Sequence, residues 1–407
     1  MANTLLPVED ALAILLANAR PVSGTEMLAL PDADGRILAE DILARITQPP
    51  FSASAMDGYA VRAEDVETAG ATLSVIGTVA AGQTPEQDVI PGTAIRIFTG
   101  APVPPGADCV VIQEDTEKRG EHSILITEAA AKGAHIRPAG QDFRDGQLLL
   151  ARGRLLDARS LSLAAAAGHG ALPVCRQPRI ALLATGDELV PPGQKPGPGQ
   201  ISASSGVALH SLARMNGAQT LDLGIARDDA ADLRAAVDRA RDWNADVLMT
   251  IGGASVGDRD LVGPTLQSIG MSLDFWKIAM RPGKPLMVGN LGDMKVLGLP
   301  GNPVSAFVCT LIFAEPLIRK LANLTPRNRL HQAVAAGPIE PNGPRRHYMR
   351  GRFTDRANGL VEPCESQDSS LIATLADADC LIVRPPGDEA IKAGDPLSVM
   401  MLARDAD

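Results

Sequence analysis

Hydrophobic and polar positions change rhythm several times along the chain. Near the start, Val8, Leu12, Leu15, Leu16 and Ala19 recur at helical spacing, with Pro7 suited to a first helical position and Pro21 closing the run. From about 70 to 155 the pattern shortens into β-type runs, TLSVIGTV, TAIRIF, DCVVIQ and HSILIT, divided by Gly and Pro. SLSLAAAAGHG at 160–170 predicts a helix with Ser160 as N-cap and Gly168 or Gly170 at its end.

Between 179 and 326 the periods alternate. RIALLAT, TLDLGI, DVLMTI and SLDFWKIAM predict strands. GVALHSLARMNG predicts a helix closed by Gly217, and DDAADLRAAVDRARD a helix capped by Asp228 or Asp229. VLGL leads through PGNP into a helix from Pro303 to about Leu321. Strand and helix in strict alternation imply a doubly wound, mostly parallel sheet. The last 75 or so residues return to short strands with turn clusters, so the fold class is α/β plus β, with a small β domain at the end.

Composition narrows the function. The 407 residues predict several domains, and 39 Gly with 31 Pro fit many tight turns. Aromatics at 3% and a net charge of −10 argue against nucleic acid, which calls for stacking rings or a basic face. The five Cys form no C-x-x-C and the six His no H-x-x-x-H, so neither a redox pair nor a His-based metal site is expected. Glu9 and Asp10 interrupt the first apolar stretch, and no run of about 18 apolar residues occurs. The expectation is a cytoplasmic protein without membrane contact.

In an open α/β sheet, ligands bind beyond the carboxyl ends of the strands. The loops predicted there carry Thr185-Gly186-Asp187-Glu188, then Gly252-Gly253-Ala254-Ser255-Val256-Gly257-Asp258-Arg259-Asp260. Arg281-Pro282-Gly283-Lys284-Pro285 and Leu299-Pro300-Gly301-Asn302-Pro303 follow. Lys277, Arg281 and Lys284 are cations with no acid among them, and the helix start at Asn302-Pro303 suits an anion. Glu188 and Asp260 offer hard oxygen ligands, the type Mg²⁺ uses beside substrate phosphate. Each loop alone fits an ordinary turn or cap; four at one sheet edge point to a site.

Two motifs are set aside. Gly253-x-Ser255-x-Gly257 fits a nucleophile elbow, but its acid and base would be Asp274 with His331 or His347, at a domain junction or beyond it. Walker A and G-x-G-x-x-G patterns are absent. Outside the α/β segment, PPFSASAMDGYA at 49–60, FTGAP at 98–102 and RPAGQD at 137–142 form polar loops on β scaffolds, although Asp57-Gly58 also fits a hairpin turn. RRHYMRGR at 345–352 is a basic patch in an acidic chain.

The stretches PPFSASAMDGYAV, RIFTGAPVPPGAD, RPAGQDFRDG, LLATGDELV, DVLMTIGGASVGDRDLV, KIAMRPGKPL and LGLPGNPVSA together resemble the molybdopterin molybdotransferase (MoeA) family, which includes the gephyrin E domain. The resemblance implies an α/β domain of the molybdenum-cofactor-biosynthesis type at 178–327 and a C-terminal β-barrel domain at 328–407. It implies an inserted β domain at 54–140 and a connecting domain from 1–53 and 141–177. It further implies a homodimer whose active site lies between the α/β domain of one subunit and the N-terminal part of the other. The implied function is insertion of molybdate into adenylylated molybdopterin with Mg²⁺-dependent release of AMP. A transient contact with the upstream adenylyltransferase goes with it.

Residue by residue, the resemblance assigns Glu188 and Asp260 to metal and phosphate handling, with Asp228 as a further match. It places Lys277, Arg281 and Lys284 in the loop for molybdate or substrate phosphate, where Arg281 replaces the Lys of some relatives. Thr185, Gly252, Gly253 and Ser255 fall in the strand-end loops, and Pro300, Gly301, Asn302, Pro303 and Ser305 in the helix-start loop. Asp57, Thr99 and Asp142 match polar positions of the N-terminal loops, Arg350 and Ser369 C-terminal ones. Departures from the family pattern are Ala203-Ser204-Ser205 for D-S-N, Gln141 for an acid, Ala53 for Asn, and Asp368-Ser369-Ser370 for G-S-G. Two rival readings are an adenylyltransferase of the same pathway and a non-enzymatic scaffold of the gephyrin type. The β domains and the MDGY loop argue against the first, and no partner-binding tail supports the second.

Overall fold

Strands whose residues are apolar throughout need cover on both faces, and the α/β segment is built on such strands. The computed structural model describes residues 5–17, 19–253 and 261–402. The chain divides into two units, Met27–Val174 and the combination of Met1–Glu26 with Cys175–Asp407.

In the larger unit a six-stranded sheet runs in the order Gln219–Ala226, Arg179–Thr185, Val247–Ile251, Met294–Leu299, Met287–Leu291, Ser272–Trp276. The first four strands are parallel, Met287–Leu291 runs against them, and Ser272–Trp276 pairs antiparallel to it and so runs with the first four. All five residues of Val247–Ile251 are buried, as a central strand requires. One face packs Ile180, Leu182, Met249 and Leu297 under the helices Ser205–Met215 and Pro303–Cys309. The other packs Ala181, Leu183 and Leu248 against Leu233 and Val237 of the helix Ala230–Asp242.

The strict alternation expected from the sequence ends after the third strand. SLDFWKIAM is not one strand: it breaks after Trp276, Lys277 takes φ +130°, and Met280–Arg281 pairs with Arg346–His347 of the C-terminal sheet. The Met287–Leu291 strand, which the pattern did not announce, is joined to Met294–Leu299 by the two residues Gly292-Asp293. Gly292 at φ +64° supplies the conformation that so tight an antiparallel connection needs. The helical run from Pro303 to Leu321 widens into a π turn at Thr310–Ala314, just before Pro316, whose missing N–H cannot continue a regular ladder.

The N-terminal helix Val8–Ala17, grouped with the connecting segments by resemblance, instead buries Val8, Ala11 and Leu15 in the α/β core beside Leu317 and Ile318. Glu315 and Arg329, both buried, form a bidentate pair at 2.7 and 2.9 Å that ties this core to the start of the C-terminal segment. There, Arg346–Asp355 bonds Cys380–Arg384 through its first half and Leu360–Pro363 through its second. Leu330–Ala335 and Pro396–Met401 complete the ring, so the sheet closes on itself.

The Met27–Val174 unit holds a six-stranded sheet in the order Cys109–Ile112, Gly58–Val61, Thr93–Ile97, Thr72–Val79, Ser123–Ile126, Thr116–Lys118. Its helix Ala158–Ala166 is capped by Asp157, not Ser160. The Asp157 carboxylate accepts from the Ser160 N–H at 2.8 Å and its hydroxyl at 2.6 Å, which together with Arg159 holds the acid well below the usual carboxylate range. Asp57-Gly58 is no hairpin turn either, because Gly58 opens a central strand. A Cβ there would stand 2.0 Å from the Val111 carbonyl oxygen, so the glycine serves close strand approach.

Candidate functional site

Three adjacent parallel strands, Arg179–Thr185, Val247–Ile251 and Met294–Leu299, end side by side. Hydrogen bonds tie their ends together. The Gly252 N–H donates to the Leu299 carbonyl at 3.1 Å, and the Thr185 hydroxyl to the Ile251 carbonyl at 3.3 Å. Gly252 stands at φ +94°, and a Cβ on it would meet the Thr185 oxygen at 2.7 Å. Above these loops lies a cavity of about 830 Å³, walled by Thr185, Glu188, Gly252, Gly253, Gly301 and Asn302 among others. The C-terminal segment of the same unit contributes Ser370 and Ile372.

The fourth expected loop reaches this wall only through Pro285. Arg281 and Lys284 are exposed and Lys277 half-buried, and none of the three belongs to the lining. The cause is the broken strand: Met280–Arg281 is drawn into the C-terminal sheet, away from the edge where the other loops converge.

Among the described residues two carboxylates line the cavity, Glu188 and Asp228. Asp229, and not Asp228, caps the next helix, accepting from the N–H groups of Ala231 at 2.8 Å and Asp232 at 3.1 Å. Asp228 is thereby left for the cavity, and its N–H donates to Asp187 Oδ1 at 3.2 Å. Desolvation and then the charges of Asp187 and Glu188 raise its pKa above the ordinary aspartate value. Asp260 and Ser255 lie outside the described residues. Among the described residues no group of three or more His, Cys, Asp or Glu is placed to hold a metal ion.

The helix start is less open than its sequence suggests. Asn302 makes no side-chain cap, Pro303 has no N–H, and the Val304 N–H donates to the Ser369 carbonyl at 3.1 Å. Arg350, expected to meet a ligand, is corrected to a supporting position. It is 1% exposed, and its terminal nitrogens donate to the carbonyls of Leu371 at 3.1 Å, Ser366 at 3.0 Å and Asp368 at 2.9 Å. Those donors are spent on the loop that delivers Ser370 and Ile372 to the cavity.

In the Met27–Val174 unit the Asp57 carboxylate accepts from the Thr99 N–H at 2.8 Å and its hydroxyl at 2.7 Å. These bonds hold its pKa below the usual value. Arg96 braces the pair. Its guanidinium lies 5.0 Å from the ring centroids of both Tyr59 and Phe98 and donates to the Gly58 carbonyl at 3.1 Å. Asp142 lines a separate groove of about 590 Å³ with Phe51, Gly100, Arg137 and Gln141. The sequence reading missed Asp187, Arg96 and Ser370; Arg96 is the polar interruption in TAIRIF, a signal that alternation alone reads as a solvent-facing position.

Residues 6–168 match the MoeA N-terminal region (domain I and II), 181–320 the probable molybdopterin binding domain, and 332–402 the MoeA C-terminal region (domain IV). The chain belongs to the MoeA family. It is 36% identical over 395 residues to the molybdopterin molybdenumtransferase of Nostoc sp., covering 93% of this chain and 89% of that one. To the Haemophilus influenzae molybdopterin molybdenumtransferase it is 34% identical over 399 residues, with 97% and 98% covered. The crystal structure of the MoeA molybdopterin biosynthesis protein from Pyrococcus horikosii matches with a TM-score of 0.85 at 32% identity, over 98% of this chain and 100% of that one. The cavity thus lies within the segment that matches the molybdopterin binding domain, completed by residues of the MoeA C-terminal region.

Proposed function

We propose that this transferase of molybdenum cofactor biosynthesis inserts molybdate into adenylylated molybdopterin and releases AMP. The observation that carries the reading is the cavity itself, where three glycine-bearing loops at neighbouring strand ends enclose a space lined by Glu188 and Asp228. A magnesium ion fits this donor set, because Mg²⁺ takes one or two carboxylates and leaves its other positions to water and substrate phosphate. The raised pKa of Asp228 supports the fit, since desolvation first and then the charges of Asp187 and Glu188 disfavour its ionised form, and a cation would relieve both. Glu188 and Asp228, with Asp260, would hold the ion, which when bound neutralises phosphate oxygens and so favours departure of AMP.

The chain's own groups then orient the substrate. Gly252 and Gly301 keep the cavity floor free of side chains, so a pyrophosphate can lie against backbone. Arg281 and Lys284, exposed and without a neighbouring acid in sequence, are assigned to molybdate, and Lys277 with them. Arg350 and the Ser369 carbonyl shape the loop behind Ser370. The same reading gives Asp57, Thr99 and Asp142 substrate contacts, and takes the protein as a cytoplasmic homodimer with connecting, inserted β, α/β and C-terminal β domains.

The test is direct. Purified protein is incubated with adenylylated molybdopterin, Mg²⁺ and molybdate, and AMP is measured by chromatography. Glu188→Gln is expected to abolish molybdate-dependent AMP release with an unchanged circular dichroism spectrum. Normal turnover by that folded variant would remove Glu188 from the role, and adenylylation of molybdopterin from ATP would favour the adenylyltransferase reading.

A further inference from the structure

A second cavity, of about 500 Å³, adjoins the first. Gly186, Leu189, Ala203 and Gly206 belong to the walls of both. Consecutive residues of the TGDE loop separate at this divide: Glu188 lines the first cavity and Asp187 the second. The second lies between the helix Ser205–Met215 and the edge strand Gln219–Ala226, and nothing in the function proposed above uses it.

Its chemistry differs from that of its neighbour. Leu182, Pro191, Pro192, Val207 and Ile225 give it apolar sides suited to the faces of a flat ring. At its polar end stand Asp222 and His210. His210 Nε2 is buried with no hydrogen-bond partner, a condition that native proteins rarely leave unmet. Burial lowers the pKa of this imidazole, although the nearby Asp222 charge pulls the other way. Asp222 Oδ1 accepts from the Gly224 N–H at 2.8 Å, in a strand that bulges there. Asp187 and Asp222 oppose the single cation Arg227 of this lining, so a phosphate is disfavoured here.

A ligand for such a chamber is uncharged, flat and rich in N–H groups along one edge. Of the two heterocycles in adenylylated molybdopterin, the pterin carries a 2-amino group beside a ring N–H, two parallel donors that one carboxylate accepts together. Adenine offers one amino group between ring acceptors. We propose that the second chamber binds the pterin ring of the substrate, with Asp222 accepting from the amino edge and His210 Nε2 completing its contact, while the phosphates stay in the first cavity. The inference rests on the proposed function and adds to it where the ring lies.

The experiment titrates the full-length protein with pterin (2-amino-4-oxopteridine) by fluorescence, with adenosine as competitor. Saturable binding is expected, weakened about tenfold or more by Asp222→Asn and by Val207→Trp, and not displaced by adenosine. Val207 is 61% exposed, so the Trp variant fills the chamber without disturbing a core. No pterin binding, binding indifferent to both substitutions, or displacement by adenosine would overturn the proposal. AMP release separates it from the reading on which it rests. If the unsubstituted protein releases AMP and Val207→Trp does so with unchanged KM, only the chamber assignment falls. If the unsubstituted protein releases no AMP but binds pterin with the expected variant pattern, the chamber assignment stands and the function falls.

Discussion

Acidic residues in the two units live under opposite conditions. Asp57 is finished by its own chain: Thr99 supplies two donors to one oxygen, Arg96 adds charge, and the carboxyl is held below its usual range. Asp228 has the reverse surroundings, with desolvation and then two further acids pushing it up against one backbone hydrogen bond that pulls it down. A carboxylate satisfied from within is a fixed acceptor that locks one loop to another. Acids that raise one another's pKa are where the proposed reading seats its cation. The same contrast holds among the cations. Arg350 is buried, gives three hydrogen bonds to carbonyls and supports a loop, whereas Arg281 and Lys284 stay exposed.

The largest expected effect breaks or confirms that contrast. Glu188→Gln and Asp228→Asn each lower AMP release about 100-fold or more, because each removes a ligand from charge stabilisation worth several kcal/mol. Raising Mg²⁺ recovers part of the Asp228→Asn loss. Asp57→Asn also slows the reaction, but extra Mg²⁺ leaves its rate where it was. A rate series against Mg²⁺ concentration decides, and equal recovery in both variants would erase the distinction.

The periodic parts of the fold were legible in the sequence. RIALLAT, DVLMTI and the helix after Asp229 stand where period and caps put them, because each buries one continuous face or two. The hairpin through Gly292-Asp293 was not legible, since MVGNL interrupts its apolar residues with Gly and Asn. The route of Lys277–Arg281 was hidden for another reason: SLDFWKIAM reads as one strand, and only pairing with Arg346–His347 splits it between two sheets. That split removed the basic loop from the cavity lining. Among site residues, Glu188 was visible in a motif, but the burial of Arg350 was not, because a basic patch in sequence does not show which guanidinium turns inward.

Acid titration sharpens the comparison further. His347 is buried, and desolvation followed by Arg281, Arg345, Arg384 and Arg350 lowers its pKa to about 4. In the unfolded chain the imidazole titrates near ~6.5. Between these values the unfolded state binds a proton that the folded state refuses, so stability present above pH ~6.5 is lost as pH falls toward 4, by up to about 3 kcal/mol. Calorimetry on His347→Gln is expected to show a flatter pH dependence. Activity has its own acid limb. Asp228, with its raised pKa, takes up a proton at higher pH than Asp57, so the limb moves to lower pH as Mg²⁺ is raised. In the His347→Gln variant that movement persists; a limb that vanished with His347 would report unfolding instead.

Glycine substitutions give the finest test, because the smallest effect on stability is expected at one of them. Gly58→Ala forces a Cβ to 2.0 Å from a backbone oxygen in a central strand and costs about 1–3 kcal/mol or more. Gly252→Ala meets the Thr185 oxygen at 2.7 Å from a left-handed conformation, and loses about 1–3 kcal/mol. Gly301 meets neither obstacle. Its backbone, unlike that of Gly252, is in no left-handed region, and an added Cβ would only touch the Gly252 Cα at an ordinary 3.7 Å. Gly301→Ala therefore keeps stability within about 0.5 kcal/mol. Yet Gly301 lines the cavity, so the methyl group occupies space that a substrate laid against backbone would need. The melting temperature is expected to stay fixed while KM for adenylylated molybdopterin rises several-fold. An unchanged KM would mean that the substrate does not approach this loop, and that Gly301 serves only the turn into the helix.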